Sequence, residues 1–181
     1  AQMADRSAVA KAVENMSPIW PPGTANGYHA ATIGWVCDEL LHRWEGAGVG
    51  ELLARDILAH LGAPDIYLGL PRSQFARMAP MIVDGSVREQ QGARARFSDF
   101  LNTPEGIGLP LAWVAGVANA RSLAKAMCIP ALRGEIGGHR YFSAETQAIA
   151  SAPTNPPGRI DLRLLTPIRW GLGFILGDTP N

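Results

Sequence analysis

From Ile33 onward, apolar residues recur at helical spacing: Ile33, Val36, Cys37, Leu40, Leu41 and Trp44. Asp38, Glu39, His42, Arg43 and Glu45 take the opposite face. The pattern predicts a helix with its apolar stripe turned inward, so that Cys37 serves as a small buried hydrophobe. Gly46-Ala47-Gly48 breaks it. A second helix is predicted over about 49–61, with Val49, Leu52, Leu53, Ile57 and Leu61 inward and Glu51 and Arg55 paired on the wet face. Upstream, residues 5–17 read as a polar helix that Ser17-Pro18 stops, because the residue before proline disfavours helix. Further helices are predicted over 117–128, with Asn119 a candidate cap, and from Ser143, whose hydroxyl can cap the turn that follows.

Strand signals are short. Asp65 to Leu70 alternates and is closed by Pro71, Ile160 to Leu164 alternates, and Gly171 to Leu176 reads as a final strand. The two glycines in that last segment imply close backbone approach. Residues 72–95 show no period and read as a surface excursion, after which Phe97, Phe100 and Leu101 anchor a short helix. Residues 106–110 read as a loop, and Gly134, Gly137 and Gly138 mark a turn. With helices first and strands mainly at the end, the order predicts an α+β protein, or the mostly helical lobe of one.

Composition narrows the function classes. Lys plus Arg and Asp plus Glu number 16 each, so no basic excess points to nucleic acid and no charge run to a membrane surface. No apolar run reaches the roughly 18 residues of a membrane span. The two cysteines and four histidines show no metal-ligand spacing, so no metal or other cofactor is expected.

One segment stands out chemically. Trp20-Pro21-Pro22-Gly23-Thr24 is a rigid turn, and Tyr28 follows it at the entry to the first strong helical pattern. A phenol there can point out of the scaffold into a cleft. The flanking run Gly27-Tyr28-His29-Ala30-Ala31-Thr32-Ile33-Gly34-Trp35 resembles the second motif region of class C β-lactamases and family VIII carboxylesterases. Three later segments resemble the same group in the same order. They are Leu61-Gly62-Ala63-Pro64 through Leu70-Pro71, Asn119-Ala120-Arg121-Ser122-Leu123-Ala124, and Arg169-Trp170-Gly171-Leu172-Gly173-Phe174.

The resemblance implies a serine hydrolase that works through an acyl-enzyme, with a helical domain beside an antiparallel sheet. It also implies that Tyr28 assists proton transfer from the serine to the leaving group. The Ser-x-x-Lys motif expected before the tyrosine and the His-x-Gly or Lys-Thr-Gly motif expected after the last strand are not found at those places. Residues 1–181 therefore read as one partial domain, helical to about residue 150 and strand-rich over about 158–177, and by themselves inactive. Ser122-Leu123-Ala124-Lys125 does spell Ser-x-x-Lys, but it lies downstream of the tyrosine and inside a periodic helix.

Ala30 departs from the Tyr-x-Asn pattern of penicillin-acting members. Alanine offers a substrate amide no side-chain hydrogen bond, so an ester is favoured over a β-lactam. His29 and Trp113 are further candidates for the cleft wall. The partner implied is a small ester or lactam, and the oligomeric state is open. The chain's own residues are also compatible with a non-catalytic domain, either a β-lactamase-like pseudoenzyme or a helical interaction module.

Overall fold

A computed structural model of the chain describes residues 2–86 and 92–177. Part of the aperiodic 72–95 segment, residues 87–91, lies outside them. Helix α1 (Arg6–Glu14) starts where the Asp5 carboxylate accepts the Ala8 N–H at 3.0 Å. It lies along α2 (Thr32–Glu45) through the ion pairs Arg6–Glu39 and Arg43–Glu14. Gly46 ends α2 at φ 70°, a left-handed position that suits a residue without a Cβ.

The face of α2 that turns inward is not the one the apolar spacing predicts. Gly34 and Asp38 are buried, whereas Cys37 is exposed together with Ile33, Leu40 and Trp44. Two contacts decide the rotation. Gly34 lets the Trp113 backbone and side chain come so close that a Cβ would fall 3.0 Å from them. The Asp38 carboxylate caps the next helix, accepting the Val49 N–H at 2.8 Å. A backbone donor thus takes up the buried carboxylate, and hydrophobicity alone does not set the helix's orientation.

Helix α3 runs through Val49–Leu52, Leu53–Leu58 and Ala59–Leu61, and its middle stretch is a π turn. Leu52 and Leu61 are buried as the periodicity predicts. Arg55, however, pairs with the adjacent Asp56 at 2.5 Å rather than with Glu51. The π turn widens the repeat from four residues to five and takes Glu51 and Arg55 out of stack.

Strand β1 (Ile66–Leu68) pairs antiparallel with β2 (Gly116–Ala118), Ile66 opposite Ala118. Residues 116–118 are thus strand, and the helix placed from 117 begins later. Between the two strands the chain forms a 3-10 turn (Arg72–Arg77), α4 (Gly92–Leu101) and α5 (Pro104–Ile107). The last of these is a helical turn capped by Thr103 where a loop is predicted. Helix α6 (Ala120–Ala131) has Asn119 as its cap, accepting the Ser122 N–H at 2.8 Å. Asn119 also donates to Asp65 at 2.7 Å, which locks the start of α6 to the chain just before β1.

β3 (Glu135–Ile136) and β4 (His139–Arg140) form a hairpin whose turn residues Gly137 and Gly138 both have positive φ, as a two-residue turn of this hand requires. Helix α7 (Ala144–Ser151) is capped by Ser143. The segments predicted as strands over 160–164 and 171–176 are hairpins instead. β5 (Ile160–Asp161) returns as β6 (Thr166–Pro167), and β7 (Arg169–Trp170) returns as β8 (Ile175–Leu176). The alternation at 160–164 gives way to a turn because the Asp161 carboxylate captures the Arg163 and Leu164 N–H groups, both at 2.9 Å. Gly171 does permit close approach, since a Cβ there would lie 2.7 Å from the Ala150 carbonyl oxygen.

Two apolar clusters hold these pieces together. Leu70, Leu101, Ile107, Leu111 and Ala115 form one, with Trp35, Phe97 and Trp113 against it. Leu101 and Leu111 are buried almost completely, and each contributes about 1.5–3 kcal/mol relative to exposure. Leu61, Ala63 and Ile129 form the other, between α3, α6 and the β3–β4 hairpin. The fold is the mostly helical α+β arrangement predicted.

Candidate active site

Pro21 to Thr24 makes a tight turn in which Gly23 has φ 81° and Thr24 bonds back to the Pro21 carbonyl through both its N–H and its hydroxyl. Trp20 folds onto Gly27 so closely that a Cβ at Gly27 would fall 2.5 Å from the indole. The chain from Thr24 to Tyr28 then runs along β5. Leu162 N–H donates to the Asn26 carbonyl at 2.9 Å, and the Arg159 guanidinium donates to the Thr24 carbonyl at 2.5 Å. Tyr28 lies in this strapped loop, upstream of the helix start at Thr32.

The strap ends on Asp161. Its Oδ1 accepts the Tyr28 N–H at 3.1 Å, and its Oδ2 accepts the Trp170 indole Nε1–H at 3.2 Å. The side chain is 1% exposed. Burial alone pushes this carboxyl upward, but the N–H groups of Leu164, Tyr28 and Arg163, with the Trp170 indole, outweigh it and hold Asp161 below the usual carboxylate range. The Trp170 indole in turn lies parallel to the Tyr28 ring, 6.0 Å between centroids and 2° between planes.

These groups wall an open cleft of about 550 Å³. Asn26, Tyr28, His29 and Ile33 line it together with Trp170, Leu172, Phe174 and Ile175. Tyr28 is 45% exposed. Among the described residues, the lining contains no Lys, Arg, Asp or Glu. His29 stands at the cleft with its Nδ1 hydrogen-bonded to the Thr32 hydroxyl, a contact that fixes the ring over the first turn of α2.

Trp113 does not line this cleft. It stacks on Phe97 at 5.2 Å inside the larger cluster, with its Nε1 buried and without a partner. Its Gly/Pro-bounded setting reflects the tight packing against Gly34. Ser122 and Lys125 do not form a nucleophile pair: Ser122 is 4% exposed at the start of α6, and the Lys125 ammonium donates to the Gly62 carbonyl at 3.3 Å. Among the described residues no group of three or more His, Cys, Asp and Glu side chains could hold a metal.

Trp170 lies in the 169–174 segment that carries the resemblance, whereas nothing in the sequence marks Asp161 as a site residue. In the alternating run from Ile160 to Leu164 it takes the polar register, opposite to Ile160, Leu162 and Leu164, so its burial follows only from partners elsewhere in the chain.

The model of the β-lactamase family matches residues 1–181. The chain belongs to the β-lactamase family. Several solved structures are similar to it. A penicillin-binding protein homologue from Caulobacter crescentus is 28% identical over 97% of this chain and 49% of its own, with a TM-score of 0.76. EstA from Arthrobacter nitroguajacolicus Rue61a is 29% identical over 96% of this chain and 50% of its own, at 0.77. A family VIII carboxylesterase is 29% identical over 99% of this chain and 50% of its own, at 0.82. No curated protein matched. The β-lactamase-family chain thus spans about half the length of these structures. Among its described residues no helix is long and apolar enough to cross a membrane.

Proposed function

We propose that this chain supplies one wall of the active-site cleft of a serine hydrolase that cleaves carboxylic esters through an acyl-enzyme. The observation that carries the reading is the half-exposed Tyr28 phenol, held on a strapped loop at the mouth of an apolar cleft. Tyr28 relays the proton from the attacking serine to the departing alkoxide, and the serine becomes acylated before water releases the acid. The nucleophile and its lysine come from outside residues 1–181. The buried Ser122 and the Lys125 engaged by Gly62 support that placement, as does a length half that of the related structures. By itself the 1–181 chain is then silent, because nucleophile and oxyanion donors are both required.

One feature favours an ester over a β-lactam: Ala30 provides no amide to bind a lactam side chain. His29 lines the cleft as a polar neighbour of the leaving group. The experiment is turnover of a short-chain p-nitrophenyl ester and of nitrocefin by the full-length protein. Ester turnover exceeding that of nitrocefin is expected; faster nitrocefin turnover reverses the substrate assignment, and no turnover of either leaves a non-catalytic domain.

A further inference from the structure

Asp161 makes more hydrogen bonds than its own turn requires. Closing the β5–β6 turn takes the Arg163 and Leu164 N–H groups, both on Oδ1. The carboxylate also binds two groups outside that turn, one of them far away in sequence and the other on the next hairpin, and both belong to the cleft. One is the main chain of Tyr28, 133 residues away in sequence, and the other is the indole of Trp170. The Trp170 ring is itself the surface against which the Tyr28 ring lies.

We propose that Asp161 is a positioning residue for Tyr28, fixing through one buried carboxylate both the backbone that carries the phenol and the aromatic plane that orients it. This rests on the ester-hydrolase reading above, but it makes its own demand. Tyr28 lies outside any helix or strand, so its backbone has no regular hydrogen-bond ladder to define it. The ties from Leu162 and Arg159 reach Asn26 and Thr24, and those of Gly27 to Trp20 and of His29 to Thr32 engage the tyrosine's neighbours, so the hydrogen bond that holds the Tyr28 N–H is the one to Asp161. A misplacement of about 1 Å at a proton-transferring group costs about 10²-fold in rate. Asparagine in place of Asp161 keeps the size but puts an N–H₂ where one oxygen stood. That group would face either the Trp170 indole N–H or three backbone N–H groups, and in either case donor meets donor.

The test is a double-mutant cycle in the full-length protein with a p-nitrophenyl ester. Asp161→Asn is expected to lower kcat by about 10-fold to 10²-fold with KM nearly unchanged. In a Tyr28→Phe background it is expected to have less than about a twofold further effect, because the group it positions is already gone. An equal loss in both backgrounds overturns the proposal and leaves Asp161 a structural residue. Should Asp161→Asn fail to fold, Asp161→Glu, which keeps the charge but displaces the carboxylate by one methylene, takes its place in the cycle with the same two outcomes. If the full-length protein hydrolyses no ester, the functional reading fails, and the positioning is then decided by NMR of the folded protein. Asp161→Asn must move both the Trp170 indole N–H and the Tyr28 ring resonances, and unmoved Tyr28 resonances overturn it.

Discussion

The Tyr28 ring lies parallel to the Trp170 indole, 2° between planes and 6.0 Å between centroids, although the two residues come from opposite ends of the chain. Both rings line the cleft, together with Leu172, Phe174 and Ile175. Offset parallel rings at this separation attract weakly, by about 0.5–1.5 kcal/mol beyond area burial. The hydrogen bonds through Asp161 therefore do most of the ordering.

Tyr28→Phe in the full-length protein is expected to lower kcat on an ester by about 10² to 10⁴, the usual worth of general acid–base assistance. Melting temperature should change little, because the ring and its contact with Trp170 remain. Steady-state kinetics beside a thermal melt separates the two effects. Activity retained within about twofold removes Tyr28 from the proton path.

Much of the scaffold was legible because local chemistry decided it. Asn119 and Ser143 cap their helices as their side chains dictate, and Leu52 and Leu61 are buried as the spacing requires. The errors fall where a distant partner wins. Asp38 goes inside because Val49 supplies a backbone donor, and Cys37 is turned out as a consequence. The run from Ile160 to Leu164 bends because the Asp161 carboxylate binds its own turn. Trp113, a cleft candidate in the sequence, packs against Gly34 and stacks on Phe97. In the site, sequence could single out Tyr28 and His29 from their flanking residues. Asp161 and Trp170 join them only through contacts spanning most of the chain.

Asp38→Ala should destabilise the 1–181 chain by about 1–2 kcal/mol, the worth of a lost helix cap. The Val49 N–H loses its acceptor, and His42, whose Nδ1 lies 3.5 Å from the carboxylate, loses a neighbour. Urea denaturation of the variant checks this. An unchanged midpoint means that another group caps α3.

Gly134→Ala should be worse than Gly137→Ala, although both glycines have positive φ. At Gly134 a Cβ would collide with the carbonyl oxygen and ring of Phe142, whereas at Gly137 nothing lies within 4 Å. The first substitution pays backbone strain of about 1–2 kcal/mol plus the clash; the second pays the strain alone. Thermal melts of the two variants should rank in that order, and equal losses would contradict the packing described for Gly134.

Ser122→Ala in the full-length protein should leave ester turnover within about twofold of the parent, in keeping with a chance motif match. The hydroxyl is buried at the first turn of α6, and Lys125 is directed at the Gly62 carbonyl. A fluorophosphonate probe offers an independent check: labelling at Ser122 would reassign the nucleophile to this helix.

The acid side of the stability profile should carry the signature of Asp161. Its pKa is depressed in the fold: burial opposes this, but the Leu164, Tyr28 and Arg163 N–H groups and the Trp170 indole prevail. A depressed folded-state value means that the unfolded chain binds the proton more readily. The carboxylate's contribution is therefore fully present above the ordinary aspartate range, about 3.9, and is lost as pH falls through the lower folded value. Glu39, Asp56 and Glu105 are also lowered, chiefly by hydrogen bonds, from Arg43 and Arg55 for the first two and within its own residue for Glu105. Their ion pairs are solvent-screened, so each contributes little to the slope. Asp161→Asn removes the titrating group and leaves the others. The melting-temperature gap between the parent chain and Asp161→Asn is thus expected to be widest near neutral pH and to close as pH falls below about 4. Melts taken from pH 7 down to the acid transition measure that gap. A gap that persists undiminished into acid would mean that the four hydrogen bonds do not need the negative charge, and that Asp161 holds the Tyr28 loop as a neutral acceptor.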